Sequence, residues 1–286
     1  MNNRYSYSTG KSLIILLALY AVLMAVFAFT DLRISLSLVN MESLWGRSAE
    51  ILSEIPVDIM MMLSFAALFV TRNREKKGIL HLLFTAICLI GTVEYAFFIS
   101  FFSLKYISTK LSLILGGVTC IPLSILSVLL MKKITEGREE EWKRAAAIVV
   151  LSVLCEEVIV NVLKIVVSRP RMRDLTDPLS QFVPWYSPFS SAPGGDSFPS
   201  GHTAKAAGVF LLVLLCDIYE NLRKKKYIFV TAGIVWTLFI AIGRIIRAAH
   251  FASDVTSGAF FMLLSFILVR SIYDRIRERG KKDGQD

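Results

Sequence analysis

Charge is scarce in this chain. Asp, Glu, Lys and Arg make up 19% of its 286 residues, against 55% hydrophobic residues and a mean hydropathy of +0.59. A soluble protein of this size carries more charge and breaks its apolar runs more often, so a soluble domain is excluded. Cysteine is sparse too. Cys88, Cys120, Cys155 and Cys216 all fall inside apolar runs. That leaves no loop framework for disulfides, and no Cys/His spacing fits a metal site. Internal repeats and low-complexity tracts are absent. No small-residue cleavage site follows the first apolar run, which therefore reads as an uncleaved anchor despite its basic lead of Arg4 and Lys11. The net charge of +9 is not gathered into a tract suited to nucleic acid. The Lys and Arg residues sit in short clusters between apolar runs, the pattern that orients a membrane protein.

What the chain does have is length of apolar run. Eight stretches approach the ~20 residues a helix needs to cross a bilayer: 12–29, 51–70, 78–102, 111–131, 145–167, 202–219, 228–243 and 254–272. The expected fold is all-α, a polytopic transmembrane helix bundle of about eight spans. Glu54, Pro56 and Asp58 crowd the start of the second span, and the seventh is short enough to extend toward Arg247. Polar segments alternate in basic charge, with 21 Lys and Arg on one side against nine on the other. The positive-inside rule then puts both termini in the cytoplasm of a multi-pass cell-membrane protein.

Three blocks near the opposite, extracytoplasmic face carry candidate chemistry. The first is K-I-V-V-S-R-P-R-M over residues 164–172, with Lys164 near a helix end and Arg171 in a cluster with Arg169 and Arg173. Arg offers a planar fork to phosphate oxygens, and Lys a point charge. Such a cluster alone equally suits anionic headgroups, and Lys164 alone suits snorkelling. The second block is Pro199-Ser200-Gly201-His202, opening an apolar run. Amides at Ser200 and Gly201 would then face an anion at a helix N-terminus. In the third block Arg244 is followed by His250 and Asp254. A carboxylate at Asp254 that accepts from His250 Nδ1 leaves Nε2 as a nucleophile; the plainer alternative is a loop-stabilising network. His81 lies outside all three blocks and reads as an ordinary residue near a span end.

Together the blocks resemble the type 2 phosphatidic acid phosphatase family, the lipid phosphate phosphatase and haloperoxidase superfamily. That family carries Lys, six residues, Arg-Pro; then Pro-Ser-Gly-His; then Ser-Arg, five residues, His, three residues, Asp. Met172 stands where the pattern has Pro, and Gly243 where it has Ser. The resemblance implies that Lys164, Arg171 and Arg244 hold phosphate oxygens with the Ser200 and Gly201 amides. It implies that His250 attacks phosphorus, that Asp254 orients His250, and that His202 protonates the leaving oxygen and then activates water. It implies a lipid phosphate or diphosphate substrate and neither cofactor nor metal, three fixed cations neutralising the phosphoryl charge. Six spans over 78–273 form the expected phosphatase core, 1–77 a two-span extension without an assigned role, and 274–286 a basic cytoplasmic tail.

Two other functions fit parts of the pattern: a vanadium haloperoxidase-like enzyme, and a non-enzymatic lipid or anion transporter using Asp58, Glu156 and Glu157. The spacing of Arg244, His250 and Asp254 has no use in a transporter. Glu156 and Glu157 read as ion-pair partners of Lys164 or Lys205. The loop 169–199, with Phe182, Trp185, Tyr186 and Phe189, reads either as a lid or as a connection touching the headgroup layer. A topology reporter fused after Asp286 is expected to signal from the cytoplasm; a signal from the outer side would reverse the assigned orientation.

Overall fold

The structure is a computed structural model whose described residues are 3–104, 108–187 and 195–282. Phe189, Lys105 and Asp286 lie outside them. Among the described residues the fold is helical, with no strand. Eight helical segments are long and apolar enough to cross a bilayer: Gly10–Leu38, Leu44–Val70, Ile79–Ser103, Thr109–Ile134, Glu139–Asp174, Gly201–Ile218, Lys226–Ile246 and Ala252–Arg279. Large apolar side chains point outward, with Phe29 89%, Leu80 80% and Ile165 80% exposed. Water would penalise such a surface and hydrocarbon would not.

The spans differ from the sequence expectation mainly at their ends. Helix α1 (Asn3–Leu38) runs past residue 29 through Asp31, because that carboxylate is paired rather than solvated. The second span is two helices, α2 (Leu44–Leu52) and α3 (Ile55–Val70). Ser43 caps α2 by accepting from the Gly46 amide, and Pro56 sits in the first turn of α3, where its missing N–H costs no helical bond. Helices α4 (Ile79–Leu104), α5 (Thr109–Ile134) and α6 (Glu139–Val167) follow. After two short turns of helix, including α7 (Pro178–Gln181), comes α8 (Gly201–Ala207), which tightens into a 3₁₀ segment over Gly208–Leu214. Two further short helices, α9 (Leu215–Ile218) and α10 (Glu220–Arg223), lead to α11 (Lys226–Ile246) and α12 (Ala252–Lys282). Most of the expected tail from residue 274 is thus helical.

The chain divides into two compact units. One comprises Glu54–Leu151 and Val209–Ala232. Here α3, α4 and α5 pack together around Val57, Met61, Phe65 and Ala66. Arg144 pairs with Asp217 at 2.9 Å, and Arg138 lies over the Tyr219 ring.

The other unit comprises Met1–Ser53, Ser152–Gly208 and Gly233–Asp286, and it holds all three sequence blocks. Its α1 and α12 are joined by the stacked rings of Tyr20 and Phe260, 3.9 Å apart, and by a hydrogen bond between the Tyr20 and Ser257 hydroxyls. The loop after α6 is pinned to the same unit. Trp185 Nε1 donates to the Met24 carbonyl, and Phe182 meets Phe251 edge to face. Helix α12 crosses α8 at Gly258, where a Cβ would stand 2.2 Å from the Ser200 carbonyl oxygen. Only glycine allows that approach. Gly258→Ala is expected to cost about 1–3 kcal/mol as overpacking, lowering the melting temperature in detergent and displacing the Ser200–His202 turn.

Candidate active site

The start of α12 organises the site. Asp254 lies in its first turn and takes four hydrogen bonds' worth of order from its surroundings. Its Oδ2 accepts from the Phe251 amide at 2.8 Å and from the Ser197 hydroxyl at 2.6 Å, and its Oδ1 accepts from Arg169 Nη1 at 2.6 Å. Its own carbonyl accepts from the Ser200 amide at 3.0 Å. The bond from Phe251 is the reciprocal half of a capping box, a side chain reaching back to the N-cap amide.

Arg169 is fully buried and serves four partners. Nε donates to the Val183 carbonyl, Nη1 to Ser253 and Asp254, and Nη2 to Asp31 at 3.0 Å. Its guanidinium also lies over the Phe251 ring, 4.1 Å from the centroid. Asp31, from α1, accepts from the Ser253 amide at 2.9 Å and from its hydroxyl. A helix outside the three blocks thus caps the helix that carries Asp254.

His250 is 1% exposed, and its Nδ1 lies 2.7 Å from the Ser197 carbonyl. A carbonyl can only accept, so Nδ1 carries the proton and Nε2 keeps its lone pair. Sequence spacing suggests that Asp254 itself accepts this proton. Instead Asp254 Oδ2 stands 3.9 Å from Nδ1, beyond hydrogen-bond range. The carboxylate acts at second hand, holding Ser197 by its hydroxyl while the Ser197 carbonyl holds the ring. Burial, and then the charges of Arg244, His202 and Arg171, push the His250 pKa well below its ordinary range. Those three side chains are therefore the electrostatic surroundings of the imidazole.

The remaining candidates are brought to the same unit. Arg171 Nη2 pairs with Asp196 at 2.6 Å, and Arg244 Nη1 with Glu50 at 2.9 Å. Lys164 Nζ would lie 3.7 Å from a Cβ placed on Gly201, which puts the ammonium beside the first residue of α8. Ser200 caps α8, its hydroxyl accepting from the Thr203 amide. Because the Ser200 amide is spent on Asp254, the expected pair of anion-binding amides reduces to that of Gly201. Met172, in place of the motif proline, is buried against Ala248 and Phe251, so it fills the core under the loop. Glu157 pairs with Lys205 at 2.8 Å, the ion-pair reading expected for it.

Sequence reasoning missed Asp31, Glu50, Asp196 and Ser197, and gave Arg169 no role of its own. Asp31 and Glu50 lie just beyond the ends of the apolar runs 12–29 and 51–70, so only the longer helices of the structure show them as ionisable residues within spans. The Ser197 carbonyl carried no signal, since any residue supplies one. Among the described residues no group of three or more His, Cys, Asp or Glu is arranged to hold a metal ion.

In comparison with known proteins, residues 145–278 match the sequence model of the PAP2 superfamily, and all three blocks lie within that stretch. Phosphatidylglycerophosphatase B of Bacillus subtilis (strain 168) is 33% identical over 89 residues, which cover 30% of this chain and 43% of that protein. The chain thus spans less than half the length of the relative it matches. No solved structure matches.

The depressed His250 pKa has a signed consequence. The unfolded chain takes up a proton near the ordinary value of 6.5, and the native imidazole resists it. Below that value the unfolded state binds more protons, so stability falls on acidification. Between pH 7.5 and 5.5, wild type is expected to lose more melting temperature than His250→Asn, whose amide can still donate to Ser197. Equal losses would remove His250 as the source.

Proposed function

We propose that this protein is an integral membrane phosphatase that hydrolyses a lipid phosphomonoester or diphosphate through a phosphohistidine, without a metal. The observation that carries this reading is the His250 imidazole, locked by the Ser197 carbonyl with Nε2 unprotonated and set among Arg244, Arg171 and His202. The match to the PAP2 superfamily and the similarity to a phosphatidylglycerophosphatase support the substrate class.

In this mechanism Arg244, Arg171 and Lys164 hold the phosphoryl oxygens with the Gly201 amide. Nε2 of His250 attacks phosphorus and forms the N–P bond as the bond to the leaving oxygen breaks. His202 donates its proton to that oxygen. It then takes a proton from water, whose oxygen attacks the phosphohistidine and frees inorganic phosphate and neutral His250. Preorganised cations supply the charge stabilisation on which phosphoryl transfer depends. Asp254 positions the nucleophile through Ser197 and Phe251. We place the reaction at the extracytoplasmic leaflet, with both termini cytoplasmic. Phosphatidic acid, phosphatidylglycerol phosphate, a polyprenyl diphosphate and phosphorylated lipid A are the candidate substrates.

Detergent-purified protein, assayed with chelator across that panel, is expected to release phosphate at its chelator-free rate. His250→Ala should abolish release, and His202→Ala should lower kcat by about 10²–10⁴-fold, the usual worth of a general acid–base group. Activity lost to chelator sinks the metal-free mechanism. Folded wild type that releases nothing turns attention to transport, and vanadate-dependent bromination to the haloperoxidase reading.

A further inference from the structure

We propose that Glu50 is a positioning residue for Arg244, so that helix α2, which lies outside the stretch that matches the PAP2 superfamily, completes the phosphate-gripping site. The inference rests on the phosphatase reading above and assigns part of that site to the N-terminal extension.

Helix α2 is seated on the end of α11 by contacts that do not involve Glu50. Trp45 Nε1 donates to the Phe239 carbonyl at 3.0 Å, and the two rings stack. The Asn40 amide donates to the Ile246 carbonyl at 2.8 Å, and Arg247 Nη1 donates to the Met41 carbonyl. Ala49 is buried with Ala206 and Ile240. With α2 held in this way, the Glu50 carboxylate meets Arg244 Nη1 at 2.9 Å.

The two side chains are 13% and 1% exposed, so water screens the pair little. A planar guanidinium that binds a carboxylate along one part of its fork has its plane set for a second oxyanion. Arg173 and Arg247 are also within electrostatic reach of Glu50. One carboxylate therefore faces three guanidiniums and selects Arg244 by contact.

The departure from the family pattern at residue 243 fits the same account. A Cβ on Gly243 would lie 2.3 Å from the Ala49 Cβ. The motif serine at 243 and the seat of α2 exclude each other. The chain has glycine there, and the helix it admits brings a carboxylate to the neighbouring arginine.

The test measures kcat/KM on the best lipid phosphate, with melting temperatures to confirm folding. Glu50→Ala is expected to lower kcat/KM about thirtyfold or more, the scale of truncating one partner of a buried charge pair. Glu50→Gln keeps an oxygen for Arg244 and should recover most of that loss. On an Arg244→Ala background Glu50→Ala should add less than about twofold, because its effect runs through Arg244. Gly243→Ser should lose activity by unseating α2, and Ala49→Gly should restore it in the double variant.

Wild-type kcat/KM in Glu50→Ala, higher kcat/KM there, or an additive loss on the Arg244→Ala background overturns the inference and leaves the phosphatase reading standing. Wild type that releases no phosphate from any lipid overturns both. If Glu50→Ala fails to fold, the serine variant and its rescue decide: folded Gly243→Ser with full activity overturns the proposal.

Discussion

The buried guanidinium of Arg169 is the interaction on which the rest of the site depends. It binds Asp31 and Asp254, and through Ser253 and the Val183 carbonyl it ties α1, the long loop and the start of α12 into one cluster. Two carboxylates in so dry a place are tolerable only because one cation and several N–H and O–H donors satisfy them. Loss of the arginine would leave both acids uncompensated, a defect on the order of 3–5 kcal/mol for a broken buried pair. A network of this kind contributes more to geometry than to net stability. Asp254 must sit where Ser197 and Phe251 meet it, and His250 follows from Ser197.

Charge in the surrounding shell is distributed by the same rule. Arg171 has Asp196, Arg244 has Glu50, and Lys205 has Glu157. Each of these three cations is held by a carboxylate from elsewhere in the chain, which limits repulsion among them before any anion arrives. The imidazole of His250 takes the opposite course. Surrounded by Arg244, His202 and Arg171 and excluded from water, it sheds its proton instead of finding an acid. The proposed nucleophile needs that lone pair, and the two arginines that favour the neutral ring are the ones the proposal assigns to gripping phosphate.

Much of this was legible in one dimension. The eight apolar runs appear as eight span-length helical segments, displaced at their ends where a charge found a partner, as Asp31 did. The blocks around Lys164, His202 and His250 meet in a single unit. The hydrogen bond of His250 was misassigned, because helical spacing puts Asp254 within reach of it but says nothing of a loop carbonyl from Ser197. The extension before residue 78 had no assigned role, since its contributions are two acids whose partners lie far along the chain.

Composition and local order therefore determined the apolar spans, the order of the chemical blocks and the residue types available for phosphoryl chemistry. Those features are periodic or contiguous, and they depend on solvent and on neighbours a few residues away. Tertiary structure alone decided which acid meets which base. Asp31 lies 138 residues from Arg169 and 222 from Ser253. No short-range pattern encodes such a pairing. It arises because a buried charge must be compensated, and the folded backbone determines which opposite charge is near enough to do it.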